Sequence, residues 1–525
     1  VVVVTSTTRN QVWTALPPIG DRDDRPLDLP QLDAATQAQV VARLLSPDFD
    51  AWSVAASRVG FCAKPIRLVG QSRTFDKTTG ELVRCYASAD EPTGVTFVRC
   101  GNRRASECES CSRLYAADTF HLIRSGVTGG KGVPATVGEN PLVFATLTAP
   151  SFGPVHGVRP NNGRCRPRRD TGARCPHGRP LSCMAIHADE DIAVGQPLCP
   201  DCYDYASQVV WQWWAPELWR RFTITLRRML AHHVGVLPAH LGDVASVQYA
   251  KVAEYQLRGA VHFHALVRLD GPQTTDGFAH APTQVTARVL SALVEQAVRA
   301  VRVTADPVHD GDVPRVLALG VQVDTRPVRT SSRTDDPDRE LTPEQVAGYL
   351  AKYATKSASD TEAKDSTHLR RLHATARSMA ARAVSAEEDP TAPYGLLGKW
   401  AHTLGFRGHF ATKSRRYSVT LGALRRARQR AQARIVEANR TGTPIDLRAI
   451  EAELLADVED EATVVIGSWA YAGTGWANDG ETALATAAAS RAREYAQERA
   501  RIRSEHNRNR LRGNTDDSSK IFTGR

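Results

Sequence analysis

No apolar run in this chain of 525 residues approaches the ~18 residues that a membrane-spanning helix requires, and no membrane partner is expected. The Gly-x-x-x-x-Gly-Lys-Ser/Thr loop that cradles nucleotide phosphates is also missing. No internal repeat recurs along the chain, which argues against a solenoid. Cysteine stops at Cys202, and eight of the ten cysteines fall between residues 100 and 202. Lysine is scarce beside arginine and alanine is abundant, as in proteins from GC-rich genomes. The first residues, VVVVTSTTRN, are apolar for only four positions and lack the charged-then-apolar order of a secretory signal. A leading Val fits a GTG start codon read literally. Together these features predict a bacterial cytoplasmic protein.

The residues that are present narrow the class further. A hydrophobic fraction of 42% is ample for buried cores, and the length predicts three or four domains. The net charge of +10 and a sequence pI of about 9.2 favour a polyanionic partner, most simply nucleic acid. Ten cysteines in a reducing compartment are better read as metal ligands or buried thiols than as disulfides. Cys108-x2-Cys111 is a zinc-knuckle pair with Cys100 near enough to be a third ligand. Cys62 is preferred over Cys85 as the fourth. A second run holds Cys165, Cys175, His177, Cys183, His187, Cys199 and Cys202. There the pair Cys199-x2-Cys202 is expected to take Cys175 and Cys183, with His177 and His187 as substitutes. Both sites would be structural Zn²⁺ sites, since four protein ligands leave no open position.

Along the chain, residues 1–50 are charged and proline-broken and read as loosely structured. Residues 51–125 form a zinc-binding module that ends in a helix over SRLYAADTFHLIRSGV. The run PLVFATLTAP predicts a strand, and a Cys/His insertion follows at 153–205. Aromatic and apolar spacing predicts a helix over VWQWWAPELWRRFTITLRRMLAHHVG. ASVQYAKVAEYQLRG and AVHFHALVRLDG predict two strands joined by a tight turn at Arg258-Gly259. An amphipathic helix is expected over 284–303 and a further strand in RVLALGVQVDTRPV. In LTPEQVAGYLAKYATKSA, Thr342 is a candidate N-cap with Pro343 at the first helical position. From 366 to 525 the chain reads as helical and basic, with Arg407, Lys413, Arg415 and Arg416 as candidate DNA contacts and a disordered tail.

Two stretches carry chemistry. In GAVHFHALVRLD, residues i and i+2 of a strand share a face, so His262 and His264 project together with Phe263 opposite. Neutral imidazoles ligate divalent metals, although a polar strand face would also account for them. In GYLAKYATKS, Tyr349 and Tyr353 lie a helical turn apart, with Lys352 and Lys356 in the same arc. Tyrosine pairs at this spacing are commonly core, and lysines commonly solvated. A tyrosine hydroxyl can nevertheless act as a nucleophile if a Lewis acid and a cation hold the developing charge.

A His-hydrophobic-His strand followed by a helix with Tyr-x-x-Lys-Tyr resembles the HUH endonucleases. More narrowly, it resembles two-tyrosine rolling-circle replication initiators of single-stranded phages and actinobacterial conjugative plasmids. FATLTAP (144–150) is similar to that family's first motif. Histidines precede tyrosines here, as in initiators and unlike most relaxases. The phrases AADTFHLIRSGVTGGKG, PELWRRFTITLRR and GFRGHFATKSRRYS extend the likeness over most of 58–420. The resemblance implies an α+β fold: an HUH-type antiparallel sheet flanked by helices over 140–360, with zinc modules and a basic helical C-terminal region. It implies Mg²⁺ or Mn²⁺ on His262 and His264, with Glu254 as an added carboxylate. One tyrosine would attack a phosphate of single-stranded origin DNA, giving a 5′-phosphotyrosine and a free 3′-OH primer; the other would serve termination. Lys352 and Lys356 would contact the phosphate. Single-stranded and supercoiled origin DNA, a host helicase and a DNA polymerase are the implied partners. A two-tyrosine HUH transposase shares this chemistry. A non-catalytic zinc-finger regulator would explain the charge and the cysteines but leaves His262, His264 and the tyrosine helix unexplained.

Overall fold

A computed structural model describes residues 29, 31–275, 277–328, 342–354, 366–442 and 463–519. In chain order the helices are α1 (Ala34–Leu44), α2 (Phe49–Arg58), α3 (Glu109–Thr128), α4 (Tyr205–His233), α5 (Ala287–Ala300), α6 (Pro343–Ala354), α7 (Thr367–Arg382), α8 (Leu421–Thr441) and α9 (Asp479–Ser519). The strands used below are β1 (Ile66–Asp76), β2 (Leu82–Ala87), β3 (Thr96–Val98), β4 (Leu142–Leu147), β5 (Ser246–Tyr255), β6 (Val261–Asp270), β7 (Val323–Pro327), β8 (Ala411–Lys413) and β9 (Thr463–Thr474). This is a mixed α and β architecture with antiparallel sheets. Among the described residues, no helix is long and apolar enough to cross a membrane.

The chain divides into two compact units: residues 1–115 with 457–525, and residues 116–456. In the first unit, β9 and β2 flank β1, and β3 also pairs with β1. Its core gathers Phe49, Trp52, Phe61, Cys62, Cys108, Cys111, Trp476 and Leu484. The Trp476 indole donates to the Cys62 carbonyl at 2.9 Å, so a C-terminal residue closes over the cysteine region. Three expectations differ from the structure. The N-terminal segment read as loose contains α1, capped by the Asp33 carboxylate on the Thr36 N–H. The region read as helical after 366 also supplies β8 and β9, and the tail read as disordered continues α9 to Ser519. The apolar run TVVIGSWAYAGT is β-branched and aromatic and pairs along the full length of β1, a long-range partner that local spacing does not reveal.

In the second unit a sheet of order β7-β4-β6-β5-β8 is antiparallel throughout. Period-two alternation sorts its side chains. Val143, Ala145 and Leu147 of β4 and Phe263, Ala265 and Val267 of β6 join the core formed with α4 and α5. Phe263 contacts Trp219 of α4 edge-on, with ring centroids 5.8 Å apart. Phe144, Thr146, His262 and His264 therefore fall on the opposite face. The turn between β5 and β6 closes with Gln256 N–H to the Ala260 carbonyl at 2.9 Å and Gly259 N–H to the Gln256 carbonyl at 2.8 Å. Gly259 has φ of 71°, and a Cβ there would lie 2.7 Å from Leu369 of α7.

Candidate functional site

The register of β5 and β6 sets Glu254 opposite His262, and that of β4 and β6 sets Thr146 opposite His264. One carboxylate oxygen, Glu254 Oε2, lies 3.1 Å from His262 Nε2 and 3.3 Å from His264 Nε2. The three ligand atoms lie within 4.8 Å of one another. His264 is 3% exposed, and its Nδ1 is 3.1 Å from the Thr146 hydroxyl, in the stretch FATLT. His262 Nδ1 is buried without a hydrogen-bond partner among the described residues. Two imidazoles and a carboxylate converging on one point fit a divalent metal and leave coordination positions open.

The helix α6 starts on a reciprocal cap. Gln345 N–H donates to Thr342 Oγ1 at 3.2 Å, and Thr342 N–H to Gln345 Oε1 at 2.9 Å. Val346, Ala347, Leu350 and Ala351 bury one face, at helical spacing. Tyr349 stands at the edge of that face. Its hydroxyl is 3.3 Å from His264 Nε2, and its ring meets His264 edge-on with centroids 5.0 Å apart. Phe144 stacks on His264 and meets Tyr349 edge-on, both at 5.8 Å, so two aromatic contacts fix the histidine and the tyrosine together. Lys352 and Tyr353 belong to the last turn of α6, where Lys352 is exposed; Lys356 lies outside the described residues.

The cysteines form three groups. Cys62, Cys100, Cys108 and Cys111 come together as the spacing predicts, while Cys85 is exposed on β2. Cys62 Sγ lies 3.7 Å from Cys108 Sγ and 3.6 Å from Cys111 Sγ. Burial pushes the Cys100 thiol up to about 11. The second group is Cys175, His177, Cys199 and Cys202. Here the expectation needs correction. Cys183 is not in this set; an antiparallel bridge between Arg166 and Cys183 carries it to His156, Cys165 and His187 instead. His177 takes the vacated place, 3.2 Å from Cys202 Sγ.

Of the four candidate DNA contacts, Arg407, Arg415 and Arg416 are exposed and Lys413 is half-buried. The Arg407 guanidinium lies over Trp213 at 4.4 Å. The Lys413 ammonium donates to the carbonyls of Ser418 at 2.8 Å and Arg415 at 3.2 Å, and burial pushes it down to about 8. Arg416 donates to the Gln273 side chain, and Arg415 is exposed. Lys413 ends β8, which pairs with β5 at the edge of the sheet. The sequence reading passes over His156, Asp191 and the buried Lys251, and takes in Thr146 only within FATLTAP. A histidine nine residues before Cys165 and the Cys183-x3-His187 spacing were the available signals for the third cysteine group.

The family described as replication initiator protein, pSAM2 (RepSA) matches residues 48–490. A replication initiator protein of Streptomyces ambofaciens is 40% identical over 478 residues, covering 86% of this chain and 93% of the relative. The chain belongs to this replication initiator family. No solved structure matches it. The matched residues of this initiator include the Glu254–His262–His264 group, Tyr349 and all three cysteine groups.

Proposed function

We propose that this initiator nicks one strand of its origin DNA through a tyrosine nucleophile, in the manner of a two-tyrosine HUH endonuclease. The observation that carries the reading is the Tyr349 hydroxyl 3.3 Å from His264 Nε2, beside the convergent Glu254 and His262. Glu254, His262 and His264 would hold Mn²⁺ or Mg²⁺, which when bound draws charge from a phosphoryl oxygen. The Tyr349 oxygen forms the new bond to phosphorus while the bond to the 3′ oxygen breaks. That oxygen leaves with the electron pair and takes up a proton from solvent, while the Tyr349 hydroxyl gives its own proton up to solvent. The products are a 5′-phosphotyrosine and a 3′-OH that primes synthesis, and Tyr349, 39% exposed beside His264, is open to a strand from solvent. Tyr353, one turn on, would make the second cut at termination. Lys352 and Lys356 would balance phosphate charge.

Further parts of the reading follow from chemistry. The Cys62–Cys100–Cys108–Cys111 and Cys175–His177–Cys199–Cys202 groups are structural zinc sites, because each offers four protein ligands. Duplex phosphates would meet the exposed arginines of the insertion, among them Arg164, Arg168 and Arg169. Strand separation falls to a host helicase and synthesis to a host polymerase, in the bacterial cytoplasm. The test is a cleavage assay on end-labelled single-stranded fragments tiling the DNA around the gene, with Mn²⁺ or EDTA. A metal-dependent covalent adduct is expected, absent from the Tyr349→Phe, Tyr353→Phe double variant. Binding without any adduct, including on supercoiled origin DNA, would overturn the reading in favour of a regulator.

A further inference from the structure

We propose that His156, Cys165, Cys183 and His187 hold a structural zinc ion, so that the insertion at 153–205 carries two metals rather than one. A tetrahedral zinc with Zn–S of about 2.3 Å and Zn–N of about 2.05 Å separates its ligand atoms by about 3.3–3.8 Å. The distances here lie inside that range or about 0.1 Å from it. His156 Nδ1 is 3.2 Å from His187 Nε2, His187 Nε2 is 3.4 Å from Cys183 Sγ, and Cys165 Sγ is 3.9 Å from His156 Nδ1. The all-cysteine group has sulfur spacings of 3.6 Å and 3.7 Å, inside the same range.

A second observation is independent of this spacing. His187 Nδ1 meets Asp191 Oδ2 at 2.5 Å, while its Nε2 faces the other three residues. The same carboxylate accepts the Ala193 N–H at 2.9 Å through its other oxygen, which fixes its orientation. A carboxylate on the far nitrogen sets the tautomer and raises the basicity of the near one, as for most metal-ligating histidines. Cys165 Sγ also accepts the Gly157 N–H at 3.3 Å, a bond suited to a thiolate.

The chain between the metals supplies the need. Between residues 153 and 204, the described structure has one turn of 3₁₀ helix, Pro160–Asn162, and isolated bridges. Such a segment builds little apolar core, and metal binding can supply its folding free energy instead. The reciprocal backbone bonds of Arg166 and Cys183, at 2.8 Å and 3.0 Å, bring the two cysteines side by side. Zinc there closes the base of the loop 165–183, and the Cys175–His177–Cys199–Cys202 group anchors that loop to the start of α4. This assignment does not rest on the nicking reading.

The experiment counts zinc in the purified full-length chain by mass spectrometry. It is done in a His264→Ala background so that the Glu254 group contributes none. Three zinc ions per chain are expected, falling to two in Cys165→Ser. Asp191→Asn keeps all four ligands and guards against a folding artefact. With a competing chelator, one of its three ions should be held about 10–100-fold more weakly while the other two are unchanged. Two ions in the parent, or identical zinc retention in Asp191→Asn and the parent, would overturn the proposal.

Discussion

Thr146 decides which nitrogen of His264 is available to a metal. Its hydroxyl occupies Nδ1 at 3.1 Å, which leaves Nε2 turned to Glu254 and Tyr349. Thr146→Val keeps the shape and removes that partner. The variant is expected to bind Mn²⁺ about 10–100-fold more weakly, measured by electron paramagnetic resonance of free Mn²⁺; unchanged affinity would refute the role. At this scale much of the site was legible. His262 and His264 had to share a face because a strand alternates, whereas Glu254 entered only through the family resemblance, and it is the register of β5 and β6 that sets it opposite His262. Thr146 was written only as part of a motif, since its contact depends on β4 lying next to β6. Cys183 illustrates the limit: spacing offered it to Cys199 and Cys202, and a backbone bridge took it elsewhere.

Elements meet where a residue has no room to be larger. Gly126 of α3 lies against Tyr417, and a Cβ there would sit 2.1 Å from the Tyr417 ring. The ring is fully buried, with the Arg268 guanidinium over it at 5.2 Å and its hydroxyl donating to the Ile123 carbonyl at 3.3 Å. Arg268 is in turn held by a two-pronged pair to Asp270 at 2.7 Å and 2.8 Å, so the ring cannot swing aside. Gly126→Ala is expected to cost about 1–3 kcal/mol in denaturant unfolding, with recovery in a Gly126→Ala, Tyr417→Leu double variant. Stability equal to wild type would show that the ring can give way. The helices themselves were readable from capping and spacing, α6 above all. Their docking was not, because it depends on residues such as Tyr417 that lie hundreds of positions away.

For the molecule as a whole, one buried charge ties stability to pH. Lys251 is buried between Trp219 and Phe263, its ammonium 4.4 Å from the Phe263 ring centroid, and desolvation pushes its pKa down to about 7. The unfolded chain keeps the ordinary value of about 10.4, so between these values the unfolded state binds the extra proton. Stability must then rise with pH across that window, by up to about 1.4 kcal/mol per pH unit. Lys251→Met should be more stable than wild type at pH 7, with the gain shrinking as pH rises toward 10. A gain independent of pH would refute the assignment. On the same scale, the first unit joins residues 1–115 to 457–525, and the pairing of β9 with β1 makes that union.

The sequence by itself determined the local chemistry: the two-histidine strand, the capped tyrosine helix, the close cysteine pairs and the basic charge. Each depends on spacings of a few residues, which backbone geometry converts directly into shared faces. Tertiary structure decided how those pieces are partnered. It set Tyr349 against His264, drew Cys183 to His156, closed Arg407 over Trp213 and gave β1 a strand from the far end of the chain. Those outcomes depend on contacts between distant segments, where burial and pairing choose among partners that local spacing leaves equivalent.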